Sequence, residues 1–371
     1  MLEVGGAHVY LAAFERGKAK PFGKALSLGL TRDADFVQRI WRVLMALVRI
    51  PRTLDRAGYP RPDAIVARNM EALALGVRLK ALWGGSIPLA YELLDIHRLQ
   101  QGFSTKSKVV RAVEARFLKS TDIIIISSDA FRTHYLEAYD LPGVPTTLVE
   151  NKVFLSTLKL PPRSIMRREQ KRPGIVSIGW FGILRCSWTL STLDRLTREN
   201  PGRFHIAIRG RPALDQVPNF HAVLSNNPDL HYGGPYNWPD DLASNYEECD
   251  LVWMIDRFDS GGNSDWLLPN RLYEGMLFGA VPIGVAETAI AEKLEEIGIG
   301  LVLPNHNFET LSSNLRDMDS VSVGQMRSTV LRQPLSISLS NEHECRTLVS
   351  KILHGQVHSG ASSRKLDLPN E

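Results

Sequence analysis

Residues 265–284 read DWLLPNRLYEGMLFGAVPIG, and this stretch says most about the fold. It follows a glycine-rich turn and enters a short helix at Pro269, a position where the N–H that proline lacks has no helical partner anyway. The helix stops at Gly279, and the chain passes directly into an apolar strand at 280–283. A helix that returns at once to an apolar strand is typical of a parallel α/β sheet.

Glu274 lies in the middle of this helix, beside apolar neighbours on the inward side. A buried carboxylate needs a partner, because an unpaired buried charge is unfavourable. One interpretation pairs it with Arg271, three residues earlier on the same helix. The other gives it the two hydroxyls of a ribose, which would donate two charge-assisted hydrogen bonds. The surrounding run favours the ribose.

The run resembles the donor motif of GT-B glycosyltransferases of the family-four type. In that family a helix with a ribose-binding Glu precedes a glycine and a Pro-Val/Ile strand, matched here by Glu274, Gly279, Pro282 and Ile283. The form LPNRLYE is most similar to glucosyltransferases of bacterial exopolysaccharide, particularly succinoglycan, assembly. Weaker matches follow in the same order along most of the chain, at 67–76, 91–99, 149–153, 178–186, 208–213 and 232–242.

One position departs from the family pattern. The usual motif has another Glu eight residues before the ribose-binding one, and Trp266 stands there in this chain. The resemblance therefore leaves the contact with the donor sugar to Asn263, Asp265 or Asn270.

Length and composition set the frame. A chain of 371 residues exceeds one ordinary core, which predicts two domains. A net charge of +4, from 44 basic and 40 acidic residues, is too small to indicate nucleic acid. The three cysteines are far apart and have no metal-ligand spacing, which fits a reducing cytoplasm. The sequence shows neither a signal peptide nor a run of about 20 apolar residues, so a cytoplasmic protein is expected.

Short apolar strands alternate with amphipathic helices in both halves, and with the resemblance this predicts a GT-B fold of two Rossmann-like domains facing a cleft. The predicted units are an acceptor-side domain at 1–155, a linker at 156–173, a nucleotide-sugar domain at 174–335, a C-terminal helix at 336–354 and a disordered tail at 355–371. In the first half strands are predicted at 8–14, 63–67, 87–94, 122–127 and 147–150, and helices at 35–50, 70–83, 106–120 and 130–139. In the second half strands are predicted at 174–179, 204–209, 230–232, 251–255, 281–284 and 300–303, and helices at 189–200, 240–247, 270–278 and 289–297.

The first residues, MLEVGGAHVYLAAFERG, are similar to the end of a helix that runs into the second strand of such a domain. In the resembled family a first strand and most of a helix, about 20 residues, precede this point. The N-terminal domain is therefore expected to lack its first strand. Two explanations stay open, a start codon assigned too far downstream and a truncated gene product.

Transfer of a sugar requires the leaving diphosphate to be neutralised and the acceptor to be positioned. The resemblance implies that no metal does this, so that basic side chains and a helix N-terminus hold the diphosphate. Arg185, which follows a predicted glycine turn ending at Gly182, and Arg209, at the end of the next strand, are the main candidates. Arg271 is a third. A surface role at a helix start is the alternative for Arg185.

Polar residues follow two predicted strands of the first half, at the edge where open α/β sheets bind ligands. His97 is predicted either to take the acceptor proton or to hydrogen-bond the transferred sugar, because imidazole titrates near working pH. Asp95 is predicted to orient it or to act as the base. Arg68, Asn69 and Arg98 are predicted to line the acceptor side.

The predicted helix at 106–120 is basic and amphipathic, with Glu114 as its single acid. Such a helix either contacts an anionic membrane, which would suit a glycan acceptor on a polyprenyl diphosphate, or is simply solvated. The basic residues concerned are Lys106, Lys108, Arg111, Arg116 and Lys119, and the apolar ones are Val109, Val113 and Phe117.

Other chemistries fit less well. The Asp-x-Asp spacings at 33–35 and 317–319 do not follow strands, which favours helix capping for the first and surface solvation for the second. The nicotinamide, Walker A and nucleophile-elbow motifs are absent. The resemblance therefore implies transfer of a hexose, with UDP-glucose as the leading donor, onto a lipid-linked oligosaccharide, without a further cofactor and at the inner face of the cytoplasmic membrane. An epimerase of the same fold and a non-catalytic nucleotide-sugar-binding remnant are the alternatives.

Overall fold

The computed structural model describes residues 1–16, 25–31, 36–154 and 174–354. The predicted linker at 156–173 and the predicted tail at 355–371 lie outside the described residues. The description of the second half begins at Gly174. Two parallel sheets dominate, one of four strands in the N-terminal half and one of six in the C-terminal half. The predicted α/β class is confirmed.

The N-terminal sheet contains four parallel strands in chain order, β3-β4-β5-β6. Its strand β5 consists of four isoleucines that are at most 3% exposed, as expected for a parallel strand covered on both faces. The elements of this half are β1 (Ala12–Arg16), β2 (Leu26–Thr31), α1 (Phe36–Arg56), β3 (Ile65–Arg68), α2 (Asn69–Leu82), β4 (Leu89–Leu93), α3 (Arg98–Gln101), α4 (Thr105–Leu118), β5 (Ile123–Ile126), a π-helical segment (Arg132–Glu137), β6 (Thr146–Leu148) and β7 (Val153–Phe154).

The first two strands form a separate parallel pair. The predicted strand at 8–14 begins four residues later than expected, at Ala12, and β2 was missed because Gly29, with φ of +111°, interrupts its apolar alternation. The predicted helix at 35–50 continues to residue 56, through Pro51. Phe14 and Leu26 pack with this helix and α2 in one apolar cluster.

The C-terminal sheet has the strand order β10-β9-β8-β11-β12-β13, all parallel. Strands β9 and β10 are added on one side of β8, and β11 to β13 are added on the other side, so the strand order has a switch point between β8 and β11. Open α/β sheets bind ligands at the carboxyl ends of the strands beside such a switch point. The elements are β8 (Val176–Leu184), α5 (Ser187–Glu199), β9 (Phe204–Pro212), α6 (Phe220–Ser225), β10 (Leu230–Tyr232), α7 (Leu242–Glu247), β11 (Leu251–Trp253), α8 (Asn263–Trp266), α9 (Asn270–Leu277), β12 (Val281–Val285), α10 (Ala289–Ile297), β13 (Leu301–Leu303), α11 (Phe308–Arg316), α12 (Ser320–Arg332), a 3₁₀ turn (Leu335–Ile337), β14 (Leu339–Ser340) and α13 (Glu342–His354).

Strands β8 and β9 are longer than predicted, and the predicted glycine turn before Arg185 is wrong. Residues 179–182 belong to β8, which stays paired with β9 as far as Leu184. Gly182, with φ of +112°, lies opposite Gly210, and a Cβ on Gly210 would overlap the Gly182 carbonyl oxygen. The two glycines thus let the strand pair continue at close backbone approach beyond the rest of the sheet.

The last helix, α13, packs on the N-terminal sheet. Leu348 and Ile352 contact a cluster formed by Ala90, Ile123 and Ile125. Strand β14, just before this helix, pairs with β7 in parallel. The segment predicted as a C-terminal helix at 336–354 therefore covers the opposite half of the molecule.

Candidate active site

Glu274 is buried on α9, as its apolar neighbours indicate. The residue is 3% exposed, and α9 begins one residue after Pro269. Glu274 Oε1 accepts a hydrogen bond from Trp238 Nε1 at 3.2 Å, and Oε2 accepts one from the Tyr246 hydroxyl at 2.7 Å. Burial raises the pKa of Glu274 above its usual value, although both hydrogen bonds oppose this shift.

Arg271 makes no direct ion pair with this carboxylate, although its charge opposes the upward shift of the Glu274 pKa. Its Nε donates to the carbonyl oxygen of Trp253 and its Nη2 to that of Met254, each at 3.0 Å. The interpretation that pairs Glu274 with Arg271 is therefore wrong. Burial also lowers the pKa of Arg271, whose charge lies near Asp256. Arg271 thus fixes the carboxyl end of β11, one turn of helix away from Glu274.

Aromatic side chains from the segment after β10 close over Glu274. Trp238 is half exposed, so one side of the carboxylate site borders solvent. Burial, together with the nearby Glu274 charge, raises the pKa of Tyr236 to about 12. Sequence reasoning missed these aromatic residues as site residues. The segment YGGPYNWPDDL, which carries Tyr236 and Trp238, nevertheless showed aromatic residues directly after a strand, which was the available signal.

Arg185 lies at the end of β8, directly before α5. Its guanidinium forms an ion pair with Asp256 at 3.2 Å and stacks over the Phe258 ring at 4.6 Å. Arg98 of the N-terminal half lies over the same ring at 4.0 Å. Phe258 therefore brings a predicted donor residue and a predicted acceptor residue together.

Arg209 has a different environment. Its Nε donates to Asn245 Oδ1 at 3.0 Å, and its Nη1 donates to the Gly233 carbonyl. These contacts place Arg209 at the start of the segment that carries Trp238. Among the described residues, Asn245 Nδ2 is the one buried side-chain nitrogen or oxygen that has no hydrogen-bond partner.

Asn263 joins the two halves directly. Its Oδ1 accepts a hydrogen bond from the Ile96 N–H at 3.0 Å, and its Nδ2 donates to Asp95 Oδ1 at 3.3 Å. Asp265 accepts from the Gly261 N–H, and burial raises its pKa. Asn270 is exposed at the start of α9. Of the three residues predicted to replace the missing family Glu, Asn263 is thus already engaged with a predicted catalytic residue.

His97 caps α3, and its ring geometry indicates which nitrogen carries the proton. Nδ1 accepts a hydrogen bond from the Leu99 N–H at 3.2 Å, so the neutral imidazole carries its proton on Nε2. Partial desolvation of the ring lowers the pKa of His97, and the nearby Arg39 charge adds to this. A neutral imidazole with Nε2–H can donate to a sugar oxygen, whereas accepting a proton would require the other tautomer.

A buried network holds α3 from behind. Gln100 Oε1 accepts from the His97 backbone N–H at 3.0 Å, and Gln100 Nε2 donates to both oxygens of Glu114 at 3.1 Å. Glu114 is fully buried and also accepts from the hydroxyls of Tyr91 and Tyr135. Burial raises the pKa of Glu114. In the sequence Glu114 counted only as the lone acid of a basic helix, so this network was missed.

The predicted acceptor-side residues separate in the structure. Arg68 makes a two-pronged ion pair with Glu92, at 2.8 and 3.1 Å, across β3 and β4. Asn69 has φ of +66° and accepts from the Ala72 N–H, which stabilises the start of α2. Arg98 alone of the three reaches the C-terminal half, where it pairs with Asp259 at 3.2 Å.

Trp266, at the position of the missing family Glu, stacks on His134 of the N-terminal half. The ring centroids are 5.7 Å apart and the planes differ by 9°. Gln101 also crosses between the halves, donating to Asp259 at 3.1 Å. The departure from the family motif thus supplies an interdomain contact in place of a carboxylate.

The helix predicted to contact a membrane, α4, is only partly as expected. Arg111 points inward, donates to the carbonyls of Gln100 and Gly102, and lies over the Tyr139 ring at 4.2 Å, so its inclusion in an outward basic face is wrong. Val109 and Val113 are exposed, while Phe117 packs partly into the core. Across the described ranges, no helix combines the length and the apolar character required to cross a bilayer.

The Asp-x-Asp spacings also have structural outcomes. Asp317 and Asp319 are both exposed, in agreement with the expected surface solvation, and Asp319 in addition caps α12 by accepting from the Ser322 N–H at 2.7 Å. The spacing at 33–35 lies outside the described residues. In the part of the chain that is described, no group of three or more His, Cys, Asp and Glu side chains is arranged to hold a metal ion.

Two halves built on parallel sheets, with polar strand ends meeting between them, define the GT-B class. Solved structures agree. The chain superimposes on HepE of Anabaena in complex with UDP with a TM-score of 0.61 and 16% identity, covering 87% of this chain and 85% of that one. It superimposes on WaaG, a glycosyltransferase involved in lipopolysaccharide biosynthesis, with a TM-score of 0.64 and 14% identity, covering 95% and 93%.

Sequence comparison identifies the family. Residues 6–152 match the glycosyl transferase 4-like domain. The succinoglycan biosynthesis protein ExoL of Rhizobium meliloti (strain 1021) is 37% identical over 357 residues, covering 95% of this chain and 88% of that protein. The chain therefore belongs to the glycosyl transferase 4-like family and is a glycosyltransferase of the GT-B fold. The predicted resemblance, fold and enzyme class are confirmed.

Proposed function

We propose that this glycosyltransferase moves a hexose, with UDP-glucose as the leading donor, onto a polyprenyl-diphosphate-linked oligosaccharide in bacterial exopolysaccharide biosynthesis. The similarity to a succinoglycan biosynthesis protein supports the pathway class. The structures of HepE with UDP and with UDP-glucose support the donor class. The observation that carries the proposal is the buried Glu274 beneath half-exposed Trp238, at the switch-point end of the C-terminal sheet.

Glu274 is proposed to hold the ribose. Each carboxylate oxygen accepts one protein hydrogen bond and keeps a further lone pair for a hydroxyl donor. Trp238 and Tyr236 then supply aromatic surface beside the nucleoside. Arg209 supports this region indirectly, because it holds the start of the same segment.

Arg185 is proposed to neutralise the departing diphosphate. It lies between the end of β8 and the N-terminus of the 13-residue helix α5, where a guanidinium and a helix dipole act in the same direction. Gly182, whose missing side chain leaves open space, lets a ligand approach the backbone of β8. Arg271, held at the carboxyl end of β11, is proposed to stabilise the diphosphate by its positive charge without contacting it.

The N-terminal half is proposed to act on the transferred sugar and the acceptor. His97 Nε2–H donates to the hexose, and Asp95, fixed by Asn263, is the candidate base for the acceptor hydroxyl. Arg98 is proposed to line the acceptor side at the cleft, with Arg68 and Asn69 further along the strand ends. A lipid-linked acceptor would place the enzyme at the inner face of the cytoplasmic membrane, with Lys106, Lys108, Arg116 and Lys119 of α4 as one basic surface.

The proposal is tested with purified protein and a panel of UDP-sugars, using membrane lipid extract as the acceptor source. Transfer of labelled hexose into the lipid fraction, retained in EDTA, is the expected result. UDP-sugar conversion without lipid extract would show an epimerase instead. UDP binding by calorimetry without transfer of any sugar in the panel would overturn the catalytic proposal in favour of a binding protein.

A further inference from the structure

Helix α1 exposes a row of large apolar side chains that the proposed site does not use. The exposed fractions lie between 37% and 72%, and the residues are Ile40, Trp41, Leu44, Met45 and Val48. Their spacing of i, i+1, i+4, i+5 and i+8 places them along one face of the helix, at about 100° per residue. We refer to these five residues as the α1 stripe.

The α1 stripe contributes little to the core, because the opposite face of the helix packs against α2. Ala46, Ile50 and Leu54 are buried and pack with Leu75 and Leu79 of α2. A contiguous apolar patch left on the surface of a soluble protein marks an interaction site.

Arginines border the α1 stripe on one side. Arg42, Arg49, Arg52 and Arg56 are exposed, and none of them forms an ion pair with a described carboxylate. By contrast, Arg39 is paired with Glu71 of α2. Asp55 is the single acid of the helix. The exposed surface of α1 therefore combines apolar side chains, including a tryptophan, with four arginines that no described carboxylate pairs.

We propose that α1 lies flat in the headgroup layer of an anionic phospholipid bilayer, with the α1 stripe inserted and the arginines on lipid phosphates. Apolar insertion together with a basic border is the signature of an interfacial helix, and tryptophan favours the membrane–water interface. A protein partner would have to supply several carboxylates around an apolar groove, whereas an anionic bilayer presents both chemistries everywhere.

If the proposed function is correct, membrane binding through α1 would bring the lipid-anchored acceptor close to the site of transfer. Arg39, one residue before the α1 stripe, pairs with Glu71 in the first turn of α2. Helix α2 follows the carboxyl end of β3, the same sheet edge at which Asp95 and His97 follow the parallel strand β4. A bilayer in contact with α1 would therefore lie near the catalytic side of the cleft. An acceptor anchored by its lipid would need to travel only a short way from the membrane to the hexose.

Co-sedimentation with phosphatidylcholine vesicles, with and without phosphatidylglycerol, tests the proposal on the full chain. Trp41→Ser/Val48→Ser and Arg42→Glu/Arg49→Glu should each lower the partition coefficient on anionic vesicles by at least about tenfold. Val321→Ser/Leu335→Ser, at exposed apolar positions of the C-terminal half, is the matched control and should change it less than about twofold. Wild-type binding should weaken in high salt and on neutral vesicles.

Three outcomes would overturn the inference. The first is unchanged vesicle binding by both α1 variants, and the second is an equal loss in the Val321→Ser/Leu335→Ser control. The third is a wild-type dimer that both α1 variants dissociate and that does not bind vesicles, which would assign the α1 stripe to a second copy of the chain. Calorimetric UDP binding, measured on every variant, confirms folding and separates this result from the proposed function, since the α1 variants should bind UDP like the wild type.

Discussion

The two halves each bury one glutamate on a helix, Glu114 in α4 and Glu274 in α9, and the two differ in what surrounds them. Both accept a hydrogen bond from a tyrosine hydroxyl, and burial raises the pKa of both. The partners of Glu114 all lie inside the N-terminal core, whereas Glu274 has half-exposed Trp238 as one of its two partners. Burial alone therefore does not separate the structural carboxylate Glu114 from Glu274, for which ribose binding is proposed, and the exposure of the partners is what differs.

The largest effect is expected from Glu114→Ala. Loss of this carboxylate leaves the hydroxyls of Tyr91 and Tyr135 and the amide of Gln100 without their buried acceptor, which should lower the free energy of unfolding by about 3 kcal/mol. Urea denaturation followed by circular dichroism measures it. A change within the error of the wild type would show that Glu114 does not hold the N-terminal core.

Glu274→Ala should act on binding more than on stability. If the carboxylate holds the ribose, the variant should bind UDP more weakly by about 1.5–3 kcal/mol, the range for hydrogen bonds to a charged group. Calorimetry with UDP measures this, and Glu114→Gln serves as the matched control that should leave UDP affinity alone. Wild-type affinity in folded Glu274→Ala would assign both glutamates to structure.

Trp238→Phe sharpens the comparison at the exposed partner. The change removes the indole N–H from Glu274 and keeps an aromatic ring, so UDP affinity should shift by about 1 kcal/mol, the size of one net hydrogen bond. Tyr135→Phe, which removes one hydrogen-bond donor from Glu114, is the counterpart in the N-terminal half. It should lower the free energy of unfolding and leave the UDP affinity unchanged. The reverse pattern would contradict the division of roles.

The smallest expected effect is on the pH dependence of stability. A raised pKa in the folded state means that the folded protein holds the Glu114 proton more tightly than the unfolded chain. This contribution is present below the unfolded value of about 4.5 and is lost as pH rises through the folded pKa. Wild type should therefore lose stability relative to Glu114→Gln as pH rises above 4.5, in denaturation series at matched salt. Parallel curves would show that Glu114 ionises with an ordinary pKa.

Much of the fold was predictable because its signals are local. Apolar runs such as Ile123–Ile126 and the Pro-to-Gly helix frame of 269–279 fixed the strand and helix positions to within a few residues. The strands β8 and β9 were underestimated because glycines that usually mark turns here serve close strand pairing at Gly182 and Gly210. Local rules do not contain that cross-strand information.

The candidate site was predicted less completely. Burial of Glu274 followed from its neighbours in the helix, but its partners Trp238 and Tyr246 come from other elements of the same half. The alternative that paired Arg271 with Glu274 failed for a similar reason, since helix spacing suggested that pair while the guanidinium donates to two carbonyls at the end of β11. Contacts between elements far apart in the chain decide such pairings, and a single sequence does not show them.

The position of α13 has a practical consequence for anyone who wishes to divide this enzyme. Leu348 and Ile352, near the end of the polypeptide, shield Ala90, Ile123 and Ile125 from water. A fragment that stops at residue 155 would lack this helix, so the apolar surface formed by Ala90, Ile123 and Ile125 would be exposed to water and would favour aggregation. Expressing the C-terminal half alone would leave α13 without the sheet on which it packs, so the two halves are better studied as one polypeptide.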